Sequence, residues 1–430
     1  MKVAIIGGGL AGIAAAYTLL ANSKVTEVHL LEATGRYGGR ACTDTTSIAG
    51  FAFDKGAQYI QDPGINPLTQ IAKQLDFETV EEEADYMLRV ETGDGWVSEE
   101  PFRNRDVQHV IDRIEVSYEK AREHPNVIVS ARPDKVDNAE LFGHAASTYG
   151  PFTESAESWQ YIAADRAREA GGNHGPNLFV KRGIGSLVAA YGEDIRSKRG
   201  DRYFEHFEAI VSKIVYDDTQ VTLGFNSESL VVDACIVTVP VSILGNDGIA
   251  FAPELPPAHR NALTVLRLGS YKKLALRLRT PPEDIVPGTN YFLIENEPAG
   301  VWQYYRLPHA PDVLVAHAAG DFAAVLDAIA DDEVIKLFKD RIKTACKDVC
   351  FTTGEAITNW SKEPFARGAY SYTAFKGGGP DDPDALAARE TLRKPVKRLY
   401  FAGEATNIEY YGTLQAAYFE GVRAAQEALT

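Results

Sequence analysis

A glycine motif that directly follows a short apolar run is the feature that most constrains how this chain folds. Residues 3–6, VAII, lead into Gly7, Gly9 and Gly12 with the spacing G-x-G-x-x-G, and small residues then continue in a helical pattern. In a strand-turn-helix unit the first glycine permits the tight turn, the second lets a pyrophosphate approach the backbone, and the third allows the helix to pack against the strand. The amino terminus of the helix then faces the phosphates with its partial positive charge. The motif therefore predicts a Rossmann-like domain that binds a dinucleotide.

The residues after this unit support the same interpretation. The run VHLLE ends at Glu32, 20 residues after Gly12, where a carboxylate accepts hydrogen bonds from an adenosine ribose. The next segment, ATGRYGGRACT, places Arg36 and Arg40 on either side of a glycine pair that includes Gly39. Two guanidinium groups and a second close backbone approach suit a cofactor that lies extended through the domain. A nicotinamide dehydrogenase does not need this second element, and a basic surface loop does not explain the tight alternation of glycine and arginine.

Length and charge argue against several classes of protein. With 430 residues the chain is too long for one simple core, so we expect two domains. The apolar content of 45% and the charged content of 24% are those of a soluble globular protein. The net charge of −16 argues against nucleic acid as a partner, because its phosphates would be repelled. The sequence contains neither a membrane-length apolar run nor a signal-peptide pattern, so we expect a cytoplasmic protein that does not bind membranes.

The cysteines do not indicate a disulfide framework or a metal site. There are four of them, scattered along the chain. Cys346 and Cys350 are one turn apart on a predicted helix, but no histidine or further cysteine stands at ligand spacing, so we expect no metal there. Reduced thiols on a half-buried face are the better interpretation.

The motif GGGLAG…LLEATGRYGGR resembles the start of the flavin-containing amine oxidase superfamily. That group includes monoamine and polyamine oxidases, L-amino acid oxidases and the more distant phytoene desaturases and protoporphyrinogen oxidases. The resemblance implies FAD, with Glu32 on the ribose and Arg40 near the pyrophosphate. The segment FDKGAQYIQ resembles the family's strand beside the flavin, which implies that Gly56, Ala57 and Gln58 lie against the isoalloxazine ring. This segment is also similar to that of renalase-like relatives.

Two interior strands resemble further elements of the family. The resemblance implies that FEAIVSKIVY holds the adenine side with backbone groups at Val211. The strand LGSYKKLALRL, aligned from its glycine, places Lys273 where the family has a lysine that reaches flavin N5 through a water. Such a lysine can orient a water and favour oxygen chemistry at the reduced flavin. The residues alone leave an alternative open, in which Lys272 and Lys273 alternate on the strand and at least one of them is solvated.

Two segments near the carboxyl terminus complete the implied cofactor site. The run WSKEPFARGAY matches the family's W-x-x-x-P-x-x-x-G-x-Y and implies that Trp360 lies at the cofactor. Ala369 stands where some monoamine oxidases have a cysteine bonded to the flavin, so we expect a non-covalent FAD. In YFAGEATNIEYYGTLQAA, the resemblance implies that Gly403 and Glu404 meet the ribityl-phosphate portion. The helix that begins near Leu414 would aim its positive end at the N1–C2=O edge of the flavin.

The resemblance also implies an aromatic cage around the substrate nitrogen. Tyr370 would be one wall, since an aromatic face can hold an amine by cation–π contact. Thr413 falls where monoamine oxidases place the second tyrosine of the cage, so this chain departs from the two-tyrosine pattern. Tyr410 and Tyr411 are both candidates to replace it.

These observations together predict the architecture and the reaction. We expect an α/β fold with a discontinuous Rossmann-like FAD domain (1–75, 180–265 and 385–430) and an α+β substrate domain (76–179 and 266–384). The resemblance implies transfer of hydride from the α-carbon of a neutral amine or amino acid to flavin N5. The imine is then hydrolysed, and O2 reoxidises the flavin to give H2O2. A renalase-like or desaturase-like reaction on a non-amine substrate is the alternative, followed by a nicotinamide dehydrogenase and a non-catalytic FAD scaffold.

Overall fold

The computed structural model of the protein describes residues 1–82, 85–92, 95–99, 176–245, 248–296, 299–346, 348–374 and 385–430. The sequence also has amphipathic helical patterns at residues 105–124 and 154–172, and single histidines, His109, His144 and His174, that we expect to be structural or exposed; all of these lie outside the described residues. No helix in the described ranges combines the length and the apolar character that a membrane span requires.

A five-stranded parallel sheet forms the core of one half of the molecule. In spatial order its strands are β10 (Tyr203–His206), β2 (Glu27–Leu31), β1 (Lys2–Ile6), β14 (Ala234–Val237) and β23 (Leu399–Phe401). The register pairs Ile6 with Leu31 on one side and with Val237 on the other, so the carboxyl ends of the strands meet at one edge. Ligands of open parallel sheets bind at this edge. The sheet is therefore built from segments that are far apart in the sequence.

Helices flank this parallel sheet and the other large sheet of the molecule, which is described below. The described ones are α1 (Leu10–Leu20), α2 (Pro67–Gln74), α3 (Ile184–Arg199), α4 (Val241–Gly245), α5 (Pro257–Val265), α6 (Gly320–Asp327), α7 (Asp331–Ala345), α8 (Ala385–Arg393) and α9 (Leu414–Ala428). Helix α9 packs directly on α1, where a Cβ added to Gly421 would lie 2.1 Å from the carbonyl oxygen of Ala11. This close approach depends on glycine, because real Cβ contacts are never so short.

A seven-stranded sheet dominates the other half. Its order is β21 (Cys350–Ile357), β17 (Tyr271–Thr280), β20 (Ala310–Ala319), β19 (Ala299–Leu307), β18 (Thr289–Asn296), β7 (Asp85–Thr92) and β8 (Gly95–Glu99). Alternate residues of a strand face opposite sides. On β19, Trp302 contacts Phe322 of α6 and Phe338 of α7, with ring centroids 5.3 and 5.0 Å apart. One face is thus covered by helices, and the other, which carries Gln303 and Tyr305, is left for a cavity.

Smaller sheets connect these two halves. They contain β13 (Glu228–Val232), β12 (Val221–Phe225), β11 (Val211–Tyr216) and β15 (Ala250–Ala252) in one sheet; β5 (Tyr59–Ile60), β9 (Leu178–Val180) and β6 (Thr79–Glu81) in another; and the pairs β3 (Thr43–Asp44) with β4 (Phe53–Asp54) and β16 (Leu266–Leu268) with β22 (Ser371–Thr373).

The α/β class is confirmed, but two local predictions are wrong. From about residue 62, the charged run PLTQIAKQLDFETVEEE and its continuation predict helices, but the helix ends at Gln74 and the strands β6, β7 and β8 follow. Asp76 has a φ of +56°, which a continuing helix does not allow. Cys346 and Cys350 do not share a helix, because α7 ends before the buried Cys346 and β21 begins at the exposed Cys350. The domain boundaries stay a prediction, although all five strands of the parallel sheet fall within the three ranges assigned to the FAD domain.

We expect Gly421→Ala to destabilise the protein, because the added methyl must push α9 away from α1. Overpacking of this kind costs about 1–3 kcal/mol. Gly224→Ala on β12 is the matched control, since its added Cβ would come no closer than 3.6 Å to a neighbouring atom. Thermal unfolding of both variants measures the difference. Equal midpoints would contradict the close packing of the two helices.

Candidate functional site

One cavity of about 870 Å³ extends from the carboxyl edge of the parallel sheet across the open face of the seven-stranded sheet. This volume is typical of a ligand site. Most residues predicted from the sequence line it: Gly7, Gly9, Glu32, Gly39, Arg40, Gly56, Ala57, Gln58, Val211, Lys273, Trp360, Tyr370, Gly403, Glu404, Thr413 and Leu414. The structure therefore brings together, in a single site, segments from across the whole chain.

The glycine turn has the geometry that the motif predicts. A Cβ on Gly12 would lie 2.0 Å from the carbonyl oxygen of Gly7, so Gly12 packs behind the turn and does not line the cavity. A Cβ on Gly9 would have Gly38 O, at 4.0 Å, as its nearest neighbour, so the backbone there faces open space. No described side chain caps the first turn of α1, which leaves its N–H groups directed at the cavity.

Glu32 and Arg36 hold this turn in place. The carboxylate of Glu32 accepts hydrogen bonds from Gly8 N at 2.6 Å and from Thr34 N at 2.8 Å, and it also lines the cavity. The guanidinium of Arg36 donates to the carbonyl oxygens of Tyr37 and Gly39, at 3.1 and 2.9 Å. Arg36 was expected near the phosphates, but its visible role is to fix the second glycine segment.

The partly exposed Arg40 and the buried Glu404 form an ion pair that joins the two ends of the site. Arg40 Nη1 lies 2.8 Å from Glu404 Oε1. Glu404 Oε2 accepts hydrogen bonds from Ser371 Oγ at 2.6 Å and from Gly412 N at 2.9 Å. Burial alone would raise the pKa of Glu404, but Arg40 and Arg389 more than offset this, so its pKa is lowered. The carboxylate is therefore ionised and holds four chain segments around the cavity.

Thr413 acts as the cap of α9. Its hydroxyl accepts a hydrogen bond from Ala416 N at 3.2 Å and donates one to Tyr410 O at 2.6 Å. A threonine at this position satisfies an otherwise unpaired N–H at the start of the helix. Leu414 then begins the helix, as predicted, and both residues line the cavity.

A second aromatic side chain does accompany Tyr370, but it is Tyr271. The two ring centroids are 5.9 Å apart with an interplanar angle of 49°, and both residues line the cavity. The guanidinium of Arg389 lies over the ring of Tyr411, 3.7 Å from its centroid, and the ring of Tyr410 packs near Phe419. Sequence reasoning missed Tyr271, although its position two residues before a candidate lysine places both on one face of a strand.

Both lysines of β17 are buried, so the alternative in which one of them is solvated is wrong. Lys273 Nζ donates to the carbonyl oxygens of Asp54 at 2.5 Å and Gly56 at 3.1 Å. Burial lowers the pKa of Lys273 to about 7, against the opposing effect of Asp54. Lys272 points to the other face, where its Nζ lies 2.9 Å from a carboxylate oxygen of Asp327. Lys273 therefore serves the cavity, and Lys272 ties the sheet to α6.

The open face of the seven-stranded sheet carries polar residues that the sequence reasoning did not identify. His317 is the cross-strand partner of Lys273 on one side and of Gln303 on the other. Gln303 Nε2 donates to Asn290 Oδ1 at 2.9 Å. Glu82, the residue that directly follows β6, also lines the cavity. The sequence does not predict that these residues meet, because their contacts depend on the pairing of strands that are far apart in the chain.

The residues fit an FAD on three observations. The open backbone at Gly9 and the uncapped start of α1 suit a pyrophosphate. Glu32, at the end of β2, suits a ribose. Gly56 packs against the backbone of Arg40, where an added Cβ would lie 1.7 Å from Arg40 O, so it presents bare backbone to the cavity, which suits a flat flavin ring. The described residues contain no cluster of histidine, cysteine and carboxylate suited to a metal ion.

We expect Gly9→Ala and Gly12→Ala to separate binding from folding. The alanine methyl at position 9 enters open space and obstructs the dinucleotide, so the protein should fold normally but lose about tenfold or more of its cofactor affinity. The methyl at position 12 collides with backbone and should lower the unfolding temperature itself. Cofactor content by absorbance and thermal unfolding of the apoprotein measure the two effects. Equal losses of stability would contradict this assignment.

We expect the stability of Lys273→Met, relative to the native protein, to fall as pH rises from 7 to 10. An unfolded lysine has a pKa of about 10.4, and Lys273 in the fold has one of about 7. Between these values the unfolded chain binds more protons, so the native protein gains stability with pH, and the methionine variant lacks this gain. The change is at most about 4 kcal/mol. Unfolding midpoints of both proteins measured from pH 6 to 10 test this expectation. If the two midpoints change with pH in parallel, the pKa of Lys273 is not lowered.

Comparison with known proteins agrees with the geometry of the site. Polyamine oxidase 4 of Oryza sativa subsp. japonica is 26% identical over 99% of this chain and 88% of its own length. Polyamine oxidase 2 of Arabidopsis thaliana is 25% identical over 99% and 87%. Among solved structures, putrescine oxidase bound to putrescine superposes with a TM-score of 0.76 at 19% identity, covering 100% of this chain and 99% of that one.

A further solved structure shares the fold. Cyclohexylamine oxidase from Brevibacterium oxydans IH-35A has a TM-score of 0.76 at 19% identity and covers 99% of this chain and 98% of its own. Residues 10–111 and 130–429 match the family described as flavin-containing amine oxidoreductase. Since this match spans most of the sequence and includes the buried Lys273 and the ion pair of Arg40 with Glu404, the chain belongs to the flavin-containing amine oxidoreductases.

Proposed function

We propose that the protein oxidises a small amine at the α-carbon and that O2 then reoxidises its flavin, with release of an imine and H2O2. The observation that carries this proposal is the position of Tyr271 and Tyr370 beside the buried Lys273, on the cavity wall. Bound FAD would supply the hydride acceptor. The names of the similar proteins, polyamine oxidase and putrescine oxidase, also favour an amine.

The aromatic pair is suited to hold an amine. Two tilted rings whose centroids are 5.9 Å apart line the same cavity. A cation close to such a face gains about 0.5–2 kcal/mol, and a neutral amine is held by the same apolar walls. The pair would therefore hold the nitrogen of an amine at the cavity wall, beside the site that we propose for the flavin.

Lys273 is suited to orient water. Its Nζ uses two donors on backbone carbonyls, and an ammonium has three, so one donor direction remains for a water or ligand in the cavity. With a pKa lowered to about 7 by burial, the lysine also changes charge near neutral pH. A lysine that gains or loses its charge readily beside the flavin site would favour the proposed reaction of the reduced flavin with O2.

The arginines that line the cavity favour an amine over an amino acid. An amino acid substrate needs a guanidinium to bind its carboxylate. Among the described residues, Arg40 and Arg367 line the cavity; Arg40 is bound to Glu404, and Arg367 is exposed and donates to Pro364 O. Both guanidinium groups thus have acceptors on the protein, whereas the carboxylate of Glu82, which also lines the cavity, suits a cation.

The flavin is proposed to be non-covalent and the location cytoplasmic. Ala369 is buried in the cavity wall next to Tyr370, and its methyl offers no nucleophile for a flavin bond. Acid precipitation of the yellow protein should therefore release the flavin into the supernatant. Flavin that remains in the pellet would contradict this.

We expect anaerobic mixing with amines to bleach the flavin, and readmitted O2 to restore the colour with one H2O2 per turnover. Panels of diamines, monoamines, amino acids and non-amine reductants identify the class. Tyr370→Leu should lower kcat/KM for the best amine by about 3–30-fold, because one cation–π contact is lost. Tyr410→Leu is the matched control, since its ring packs near Phe419. Bleaching by non-amine reductants alone would support the renalase-like or desaturase-like alternative.

A further inference from the structure

Two buried carboxamide side chains contact each other on the open face of the seven-stranded sheet. Gln303 on β19 and Asn290 on β18 are 7% and 4% exposed, and both line the cavity. Gln303 Nε2 donates to Asn290 Oδ1 at 2.9 Å. These two residues are called here the amide pair. No step of the proposed amine oxidation uses them.

The amide pair keeps hydrogen-bonding groups that no described residue satisfies. A carboxamide has two N–H donors and one carbonyl oxygen. The bond inside the pair uses one donor of Gln303 and the oxygen of Asn290, so Gln303 Oε1 and the N–H donors of Asn290 have no partner among the described residues. Exchanging nitrogen and oxygen in both amides again leaves one oxygen and one NH2 group. The pair therefore offers the cavity both a donor and an acceptor.

The described part of the sheet around the amide pair presents no carboxylate to the cavity. The described cavity residues on this sheet are Tyr271, Lys273, Asn290, Gln303 and His317, and none of them is acidic. His317 lies between Gln303 and Lys273 as the cross-strand partner of both. A second ammonium group beside the pair would lose its water without gaining a counter-ion, which costs much more than burial of a neutral polar group.

A neutral group that both donates and accepts hydrogen bonds is the complement of the amide pair. A hydroxyl can accept from Asn290 and donate to Gln303 through one oxygen, and a primary carboxamide can do the same through two atoms. A methyl group in this place would leave the buried amides unpaired. Sites built to hydrogen bond a polar group strongly reject an analogue that lacks it. The pair is therefore suited to select a polar group.

The register of the strands sets how far the amide pair lies from the aromatic pair. Tyr271 precedes Lys273 by two residues on β17, and Gln303 lies two strands away in the row of Lys273. With about 3.3 Å per residue and about 4.8 Å between strands, the Cα atoms of Tyr271 and Gln303 are about 12 Å apart. Both side chains extend into the cavity and shorten this span. An extended chain advances about 1.2 Å per bond, so about five to eight bonds of a ligand join the two places.

We propose that the amide pair is a specificity site that binds a hydroxyl or a primary carboxamide at the far end of the amine substrate. The nitrogen lies at Tyr271 and Tyr370, and the second group accepts from Asn290 and donates to Gln303. The substrate is thus an amine that carries a neutral polar group about five to eight bonds from its nitrogen. The inference rests on the proposed function, because it takes the ligand to be an amine.

The first test compares amines that differ at the far end. 6-Aminohexanol, heptylamine and 1,6-diaminohexane have the same number of heavy atoms and end in a hydroxyl, a methyl group and an amine. 6-Aminohexanamide ends in a carboxamide. The better of the hydroxyl and carboxamide compounds should exceed both heptylamine and 1,6-diaminohexane in kcat/KM by about tenfold or more, since two hydrogen bonds are gained. The better compound also identifies which polar group the site prefers.

The second test removes the polar atoms of the amide pair. Gln303→Met and Asn290→Leu nearly preserve the volume of each side chain. In both variants the kcat/KM ratio of the better polar amine to heptylamine should fall to within about threefold. Gln415→Met is the matched control, because Gln415 is also a buried glutamine that lines the cavity and accepts from the Asn66 amide at 3.0 Å, but it lies in the first turn of α9. Its ratio should match that of the native enzyme.

The third test measures binding without turnover. In 6-amino-6-methylheptan-1-ol and 2-methyloctan-2-amine the carbon bonded to nitrogen carries no hydrogen, so neither compound can give a hydride. Their Kd values for the holoenzyme follow from the change in flavin absorbance on titration. The hydroxyl compound should bind about tenfold or more tightly than the alkyl compound to the native enzyme and to Gln415→Met. In Gln303→Met and Asn290→Leu the two compounds should bind within about threefold of each other.

The outcomes separate the specificity site from the proposed function. If amines bleach the native flavin but show no preference for a polar far end, or if 1,6-diaminohexane is the best of the four, the site alone is overturned. Ratios that are equal in the native enzyme, Gln303→Met and Asn290→Leu would also overturn it. If no amine bleaches the flavin, the proposed function fails, and the two Kd values then support or overturn the amide pair by themselves.

Discussion

The ion pair between Arg40 and Glu404 is the interaction on which the rest of the site depends. It brings residues 364 positions apart into contact at 2.8 Å. A buried charge is tolerated only when it is paired and hydrogen bonded, and Glu404 meets both conditions through Arg40, Ser371 and Gly412. Removing Arg40 would leave the buried carboxylate with the charge of Arg389 and its hydrogen-bond donors Ser371 and Gly412, which weakens the compensation for its burial. The ion pair and the hydrogen bonds of Glu404 therefore hold the segment of Arg40 and the segment before α9 in place around the cavity.

The parts of the site that depend on local chemistry were predictable from the sequence. The turn at Gly7, Gly9 and Gly12 and the carboxylate at Glu32 follow from what a strand-turn-helix unit must do to admit a phosphate. The α/β class and the parallel sheet follow from the same motif. The start of α9 at Leu414 was also predicted, since an apolar helical pattern begins there.

The parts that depend on strand pairing were not predictable. Nothing in the spacing shows that His317 and Gln303 lie beside Lys273, because three strands from distant segments must first align in register. The second aromatic ring was sought near Thr413 by analogy, but that threonine caps a helix and Tyr271 supplies the ring. Lys272 looked like a solvated neighbour because a sequence does not show that α6 covers the outer face with Asp327.

The packing of α9 on α1 has a consequence for the order in which the protein is made. The contact between Gly421 and Ala11 joins segments about 400 residues apart, and α9 also begins at the cavity wall. During synthesis the apolar helix α1 leaves the ribosome long before its covering helix exists, at a rate of roughly 5–20 residues per second. Its surface is therefore exposed for about 20 seconds or more, within reach of chaperones or of other nascent chains. Since residues at the start of α9 line the cavity, its wall is complete only after this helix has docked on α1.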